Sequence, residues 1–406
     1  MPRIIVGLPA LSRGPLLDMA KEIGAPIMIS ATALAKWQDD GPVPVGHEFN
    51  ALELQIRRAT GDTRPPTEAQ RRRRVRLWKG WNTAALDRVA DSGLEIHVDS
   101  AGFVAMSLFR GWPWTVESYV FGLASHPAIT RFSSMDLCVE PEVAVGHHEL
   151  EERMAKTVRL NRQIRRLADE AGIGHKLMPV IQGADADGYM RCFEQIADTV
   201  PYGATIGVGS MCRRPTRGPD GSAAILERLH GELPSDVRLH LFGIKGDGSE
   251  AACAFGDRVD SVDSQSYGIR ARRIANDRRA QDPTFSKSNL FVSEIMRDWY
   301  EGQKARLENP RRFDVQTGLD LREGAWRPAK VIDALERVAR AQFNDLIASG
   351  ELDHDQAVGG AMLEESIGEM CEQLPEGVGV MDDWRGIGQL PAEIVGEPWF
   401  PVDLAA

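Results

Sequence analysis

Eight short apolar runs, each five to seven residues long, punctuate the first two-thirds of the chain and read as buried strands. They are RIIVGL from Arg3, APIMIS from Ala25, LEIHV from Leu94, RFSSM from Arg131, KLMPVI from Lys176, GATIGV from Gly203, VRLHLFG from Val237 and RVDSV from Arg258. Helical patterns lie between them. The clearest sets Met154, Val158, Ile164, Leu167 and Ala171 on one face, with Arg159, Arg162, Arg165 and Glu170 mostly elsewhere. Two more span Asp187 to Val200 and Ala223 to Leu233. Buried strands alternating with amphipathic helices predict an α/β protein with a parallel sheet. Eight such units in this length fit a (β/α)8 TIM barrel. A doubly wound open sheet is the alternative, but no Gly-x-Gly-x-x-Gly follows the first strand. The expected division is a barrel over residues 1–281, carrying a basic helical insertion at about 50–92. A helical C-terminal extension with an acidic tail would then occupy residues 282–406, including SEIMRDWYEGQKARL and PAKVIDALERVARAQFNDLI.

Composition narrows the class without changing it. With 406 residues and 43% hydrophobic content, the chain can build real cores and is neither a disulfide scaffold nor a disordered protein. Its five cysteines include no Cys-x-x-Cys pair. No apolar run is long enough for a signal peptide or a membrane span, so a soluble, cytoplasmic protein is expected.

The net charge of −11 argues at first against nucleic acid, but its distribution argues otherwise. Residues 351–406 hold thirteen acidic residues against Arg385 alone, which leaves +1 for the first 350. Within those lie two basic tracts, Arg64 to Lys79 at +6 and Gly268 to Ala280 at +4. Screening confines charge effects to about 10 Å, so local density governs phosphate attraction. Either tract is a solvated helix face or a phosphate-binding surface. Trp78 and Trp81 beside the first are stacking platforms or core residues.

Barrel enzymes build their sites at the C-terminal ends of strands. Those positions hold Asp99, Asp136, Gln182, Gly207, Gly243, Lys245 and Asp263. One aspartate there is commonly a helix cap. Three carboxylates and an amide together point to a pocket for acid/base chemistry or glycosyl transfer. His147 and His148 lack the spacing of metal ligands and read as surface residues; Cys138 reads as a buried filler. HLFGIKGDGSE lacks the full P-loop spacing, which leaves Lys245 a loop residue.

At these residues a resemblance emerges. VDSAGFVAMSLF resembles the D-S-G-G-[FY]-Q-x-x-S-L motif of the queuine and archaeosine tRNA-guanine transglycosylases. SSMDLCVEPE, MPVIQGADADGYMR, ATIGVGS, LHLFGIKG and VDSVDSQSYGIRAR resemble that superfamily's later motifs in order, over about Leu94 to Arg273. There are departures. Only His354 and Cys371 follow Asp263 where the tRNA enzymes carry a Cys-x-Cys-x-x-Cys…His zinc site, so no metal is expected. Ile269 stands where an arginine is expected, and Val208 where a glycine is. The combination is similar to the DpdA family, transglycosylase-like proteins that exchange guanine in DNA for a 7-deazaguanine.

The resemblance implies Asp263 as nucleophile and Asp99 as general acid and base, its pKa raised by an apolar wall such as Phe103. It also implies Asp136 and Gln182 as readers of the base and Gly207 and Gly209 as points of close backbone approach, while Phe103 and Phe242 are either a sandwich for the ring or ordinary core residues. Arg270, Arg272 and Arg273 would hold phosphates, with Arg71, Arg72, Arg73 and Arg74 as a second set. The implied partner is DNA, with tRNA as the alternative, and a 7-deazaguanine base is the small-molecule substrate. No cofactor is implied, and helper proteins could serve to open the duplex. A non-catalytic nucleic-acid-binding barrel is the reading from another class.

Overall fold

All eight apolar runs form strands, and they pair in parallel around a ring. The structure is a computed structural model that describes residues 1–310, except 44, 47, 50–52, 55, 56, 58–62, 110, 140–146, 213, 215, 217–220 and 245. The strands are β1 (Arg3–Leu8), β2 (Ile27–Ser30), β3 (Ala35–Pro42), β4 (Arg74–Trp81), β5 (Ile96–Asp99) and β6 (Ile129–Ser133). They continue as β7 (Leu177–Met178), β8 (Val180–Ile181), β9 (Thr205–Val208), β10 (Arg238–Leu241) and β11 (Val259–Ser264). One sheet runs β7-β6-β5-β2-β1-β11-β10-β9-β8. Its two end strands are halves of a single run, KLMPVI, divided only at Pro179, which has no N–H to give to a ladder. The sheet is therefore an eight-position barrel. Pro179 still accepts from Gly207 N at 2.7 Å, which carries the pairing across the break.

Helices cover the outside. The main ones are α1 (Pro15–Ile23), α2 (His147–Glu170), α3 (Ala186–Glu194), α4 (Ser222–Glu232), α5 (Gly246–Ala252), α6 (Tyr267–Gln281) and α7 (Asn289–Glu308). α2, α3 and α4 are the three helices that periodicity predicts. In α2 the apolar stripe packs inward, with Ile164 fully buried and Leu167 at 3% exposure. α3 is capped by Asp185, whose side chain accepts from Gly188 N. α7, the described part of the expected extension, packs beside α1 and α6 and buries Met296, Trp299 and Leu307. The second predicted extension helix and the acidic tail lie outside the described residues.

Charge closes the barrel floor, at the N-terminal ends of the strands. Arg3 pairs with Glu95 at 3.0 Å and Asp260 at 3.5 Å; Arg131 reaches Asp260 at 3.3 Å. His97 Nε2 lies 2.7 Å from Glu95, and this hydrogen bond, with the charge of Arg3, holds the Glu95 carboxyl at about 2. Conservation of shape is the ordinary task of that face of a barrel.

Part of the basic insertion expected at about 50–92 lies outside the described residues, and its described part holds a strand beside short helices. β4 runs antiparallel to β3, with Trp37 opposite Trp78 and Asp39 opposite Arg76. Among the described residues of this region, the short helices include Glu68–Arg71 and Thr83–Asp87. The reason for the strand is local: in RVRLWKGW a β-branched residue and two tryptophans sit among the charges, and such residues suit a pleated, half-buried surface. The ribbon is anchored by an aromatic chain from Trp78 to Trp81 and Trp114, then to Tyr119 and Phe132. Trp81 Nε1 donates to Ser118 O at 2.9 Å, and the ring is 8% exposed. Trp81 is thus core, not a stacking platform. Among the described residues no helix is long and apolar enough to cross a membrane.

Candidate active site

The C-terminal mouth of the barrel opens into a cavity of about 640 Å³. Asp99, Asp136, Gln182 and Asp263 all line it, together with Phe103, Phe242, Gly209 and Arg272. Four polar groups from four strand ends converge because alternation along each strand decides which residue ends pointing into the mouth.

Asp99 ends β5. Burial first, then the charges of Asp136 and Asp263, push its carboxyl up to about 8, against the N–H groups of Ala101 and Ser100 that favour the charged form. Ala101 adopts a left-handed φ of 66°, the geometry that glycine supplies freely, where the tRNA enzymes' motif carries glycine. The only other non-glycine residue with positive φ among the described residues is Ser210, at 51°, beside β9. Both strained residues flank the cavity, where such strain tends to concentrate.

Asp136 is buried and tied down on both oxygens. Ser100 Oγ donates to Oδ1 at 3.0 Å and Gln182 Nε2 donates to Oδ2. Gln182 is 1% exposed, and its Oε1 has no hydrogen-bond partner. A buried acceptor without a partner is costly, and a ligand N–H would satisfy it. Gly102 is needed beside this pair: a Cβ there would lie 2.4 Å from Asp136 O.

Gly209 and Gly207 prove to have different tasks. A Cβ on Gly209 would sit 2.2 Å from Gln182 Nε2, so the glycine leaves room for the amide. A Cβ on Gly207 would meet Phe242 Cε2 at 2.4 Å, and Gly207 does not line the cavity. Gly207 therefore leaves room for the Phe242 ring. Gly209→Ala is expected to drive the amide off Asp136 and lower any base-dependent activity by about 100-fold. Thermal unfolding should fall as well, since the buried Asp136 carboxylate loses the hydrogen bond from Gln182. Kinetics and a melting curve on the same variant check this.

Asp263 lies in β11, with Gly243 N donating to Oδ1 at 3.0 Å. Gly243 has a φ of 59°, and this left-handed turn after β10 aims the N–H at the carboxylate. Beyond Asp263, α6 carries Arg270 exposed and Arg272 buried in the cavity wall; Arg273 is half-buried and away from the cavity. On the ribbon, Arg73 makes a bidentate pair with buried Glu53 at 2.6 Å, and Arg72 pairs with Glu68. Arg71 and Arg74 are exposed. Lys245 lies outside the described residues, as do His354 and Cys371. Among the described residues no group of three His, Cys, Asp or Glu side chains is arranged to hold a metal.

Several site residues carry no signal in the sequence. Arg214 donates to the carbonyls of Gly183, Ala184 and Ser210 and lies over the Tyr189 ring, whose hydroxyl donates to Gly209 O. It clamps the two loops that carry Gln182 and Gly209. Trp37 and Phe109 stack at 5.0 Å and 12° on the cavity wall. His240 lies 3.2 Å from Asp263. Only the glycines and strand ends have local signatures; Arg214, Trp37, Phe109 and His240 depend on contacts between distant segments.

No curated protein matches the chain. The model of the DpdA family, described as deoxypurine in DNA protein A, matches residues 65–297. That span includes every carboxylate at the cavity as well as the ribbon strand β4. Covering more than half of the chain, it agrees with the barrel and with the order of the strand-end motifs, and the chain accordingly belongs to the DpdA family, a DNA-modifying, transglycosylase-like group.

Proposed function

We propose that the protein exchanges guanine in DNA for a 7-deazaguanine base through a covalent aspartyl–deoxyribose intermediate. The observation that carries this reading is the convergence of Asp99, Asp136 and Asp263 on one cavity, with the Asp99 carboxyl pushed up to about 8. A base inside a duplex is out of reach, so the target nucleotide must be everted into the cavity. Arg13 and Lys287 also line the cavity, and exposed Arg270, Arg71 and Arg74 are available for flanking phosphates.

The Asp263 carboxylate bonds to C1′ as the C1′–N9 bond breaks. The bonding pair leaves with the purine, which takes a proton from Asp99. Esterified Asp263 no longer carries charge, so the Asp99 carboxylate loses a repulsive neighbour and becomes easier to keep ionised. The arriving base gives its N9 proton to Asp99, its nitrogen attacks C1′, and Asp263 departs as a carboxylate. The configuration is retained by two displacements.

Base reading follows from the inventory of donors and acceptors. Asp136 and the unpartnered Gln182 Oε1 can accept from the ring N1–H and the 2-amine, and the second Gln182 Nε2 hydrogen remains for the 6-oxo oxygen. Guanine and a 7-deazaguanine share that edge, so one set of residues serves the leaving and the arriving base. Phe242 and Phe103 offer apolar ring faces.

Incubation with labelled guanine and single-stranded DNA, duplex DNA or tRNA tests the proposal. Label entering DNA is expected, with a protein–DNA adduct on denaturing gels. Label entering only tRNA would shift the substrate to RNA. Salt-dependent binding with neither label nor adduct would mean a non-catalytic barrel.

A further inference from the structure

His240 is fully buried in β10, two residues before Phe242, whose ring meets it edge-on at 4.6 Å. Its Nδ1 lies 2.9 Å from Ser261 Oγ, and Ser261 Oγ lies 3.1 Å from Asp260 Oδ2 on the barrel floor. Its Nε2 lies 3.2 Å from Asp263 Oδ1, close but not aligned as a hydrogen bond, and has no other partner. Such bonds in unliganded sites commonly tighten only when substrate binds. The same Oδ1 already accepts from Gly243 N. The Ser261 hydroxyl has one proton to divide between Asp260 and His240. Given to Nδ1, it leaves the ring proton on Nε2, facing Asp263. Asp260 needs that proton least, since Arg3 and Arg131 already face it.

We propose that His240 is a positioning residue that donates Nε2–H to Asp263 Oδ1, so that two donors hold Oδ1 and Oδ2 is the atom that attacks. Ser261 and His240 form a buried link to the nucleophile, with Asp260 left to its arginine partners. The inference rests on base exchange through Asp263. A carboxylate free to rotate presents either oxygen at varying angles. One with Oδ1 pinned presents a single lone-pair direction, which serves a displacement needing in-line approach.

The test uses the full chain with labelled guanine and single-stranded DNA, where no duplex has to open. His240→Leu is expected to lower kcat by about 100-fold with KM for guanine almost unchanged, because orientation and not binding is lost. His240→Gln retains an amide N–H near the Nε2 position and should recover kcat to within about tenfold of the parent protein. Ser261→Ala removes the tautomer setting with minimal change of volume and should lower kcat by less than His240→Leu does. A parent-like kcat in His240→Leu overturns the inference, and so does equal loss in the Leu and Gln variants, which would indicate packing alone. If both His240 variants fail to fold, Ser261→Ala decides, and a parent-like kcat there overturns it. Absence of exchange and adduct in the parent protein would instead sink the base-exchange reading.

Discussion

Asp263→Asn is expected to cut base exchange by on the order of 10⁴-fold or more and to eliminate the covalent adduct, as loss of a nucleophile does elsewhere. Asparagine keeps the shape and an oxygen for Gly243 N–H, so the fold should persist with an unfolding temperature equal to or above that of the parent protein. The change also removes one of the charges that hold Asp99 up, so the Asp99 carboxyl should titrate lower than about 8. Trapping on denaturing gels, thermal unfolding and carboxyl titration by NMR read the three outcomes separately. An adduct that survives in this variant would mean that another group attacks C1′. A lost adduct with an unshifted Asp99 would mean that the two carboxylates are not electrostatic neighbours.

The second large effect belongs to Asp99. Asp99→Asn cannot pass a proton to the leaving purine, and a loss of about 10³-fold is expected for a general acid. The pH dependence has a definite sign. Asp99 must be protonated for the first displacement, so adduct formation in the parent protein should fall as pH rises through about 8. The Asn variant should lack that limb. Stability carries the same signature. The folded pKa lies above the unfolded value of 3.8, so between these two pH values the native state holds a proton that the unfolded chain has lost. Stability contributed by this group is present below pH 3.8, declines as pH rises towards 8 and is lost above it. Replacing the carboxyl by an amide removes that decline, so Asp99→Asn should stabilise the fold more at pH 9 than at pH 5. Melting curves at both values decide, and equal shifts would show that the carboxyl is not perturbed.

These expectations depend on how residues far apart in the chain meet. Asp99, Asp136, Gln182 and Asp263 are separated by up to 164 positions yet line one cavity. Their convergence is legible in sequence because each follows an apolar run of known period, and equivalent ends of parallel strands share one face. Gly209 and Phe242 are legible for the same reason. Gly207 is only half so: a strand glycine signals close approach, but not whether a ligand or a neighbouring ring makes it. RVRLWKGW favours a strand locally, but the ribbon of β3 and β4 is not legible from the arginine run because the partner strand lies more than thirty residues upstream. Arg73 likewise looks identical to Arg71 and Arg74 until Glu53 is found against it.

Sequence by itself therefore determines the eight strands, the barrel class and the carboxylates at the strand ends. All of these follow from local periodicity, which each segment carries within itself. Tertiary structure alone decides that Arg73 is held in an ion pair with buried Glu53 while Arg74 stays exposed, that Arg214 clamps the loops carrying Gln182 and Gly209, that Trp81 is core, and that His240 stands beside Asp263. Those facts depend on the distance between side chains from different segments, and no window along the chain contains that distance.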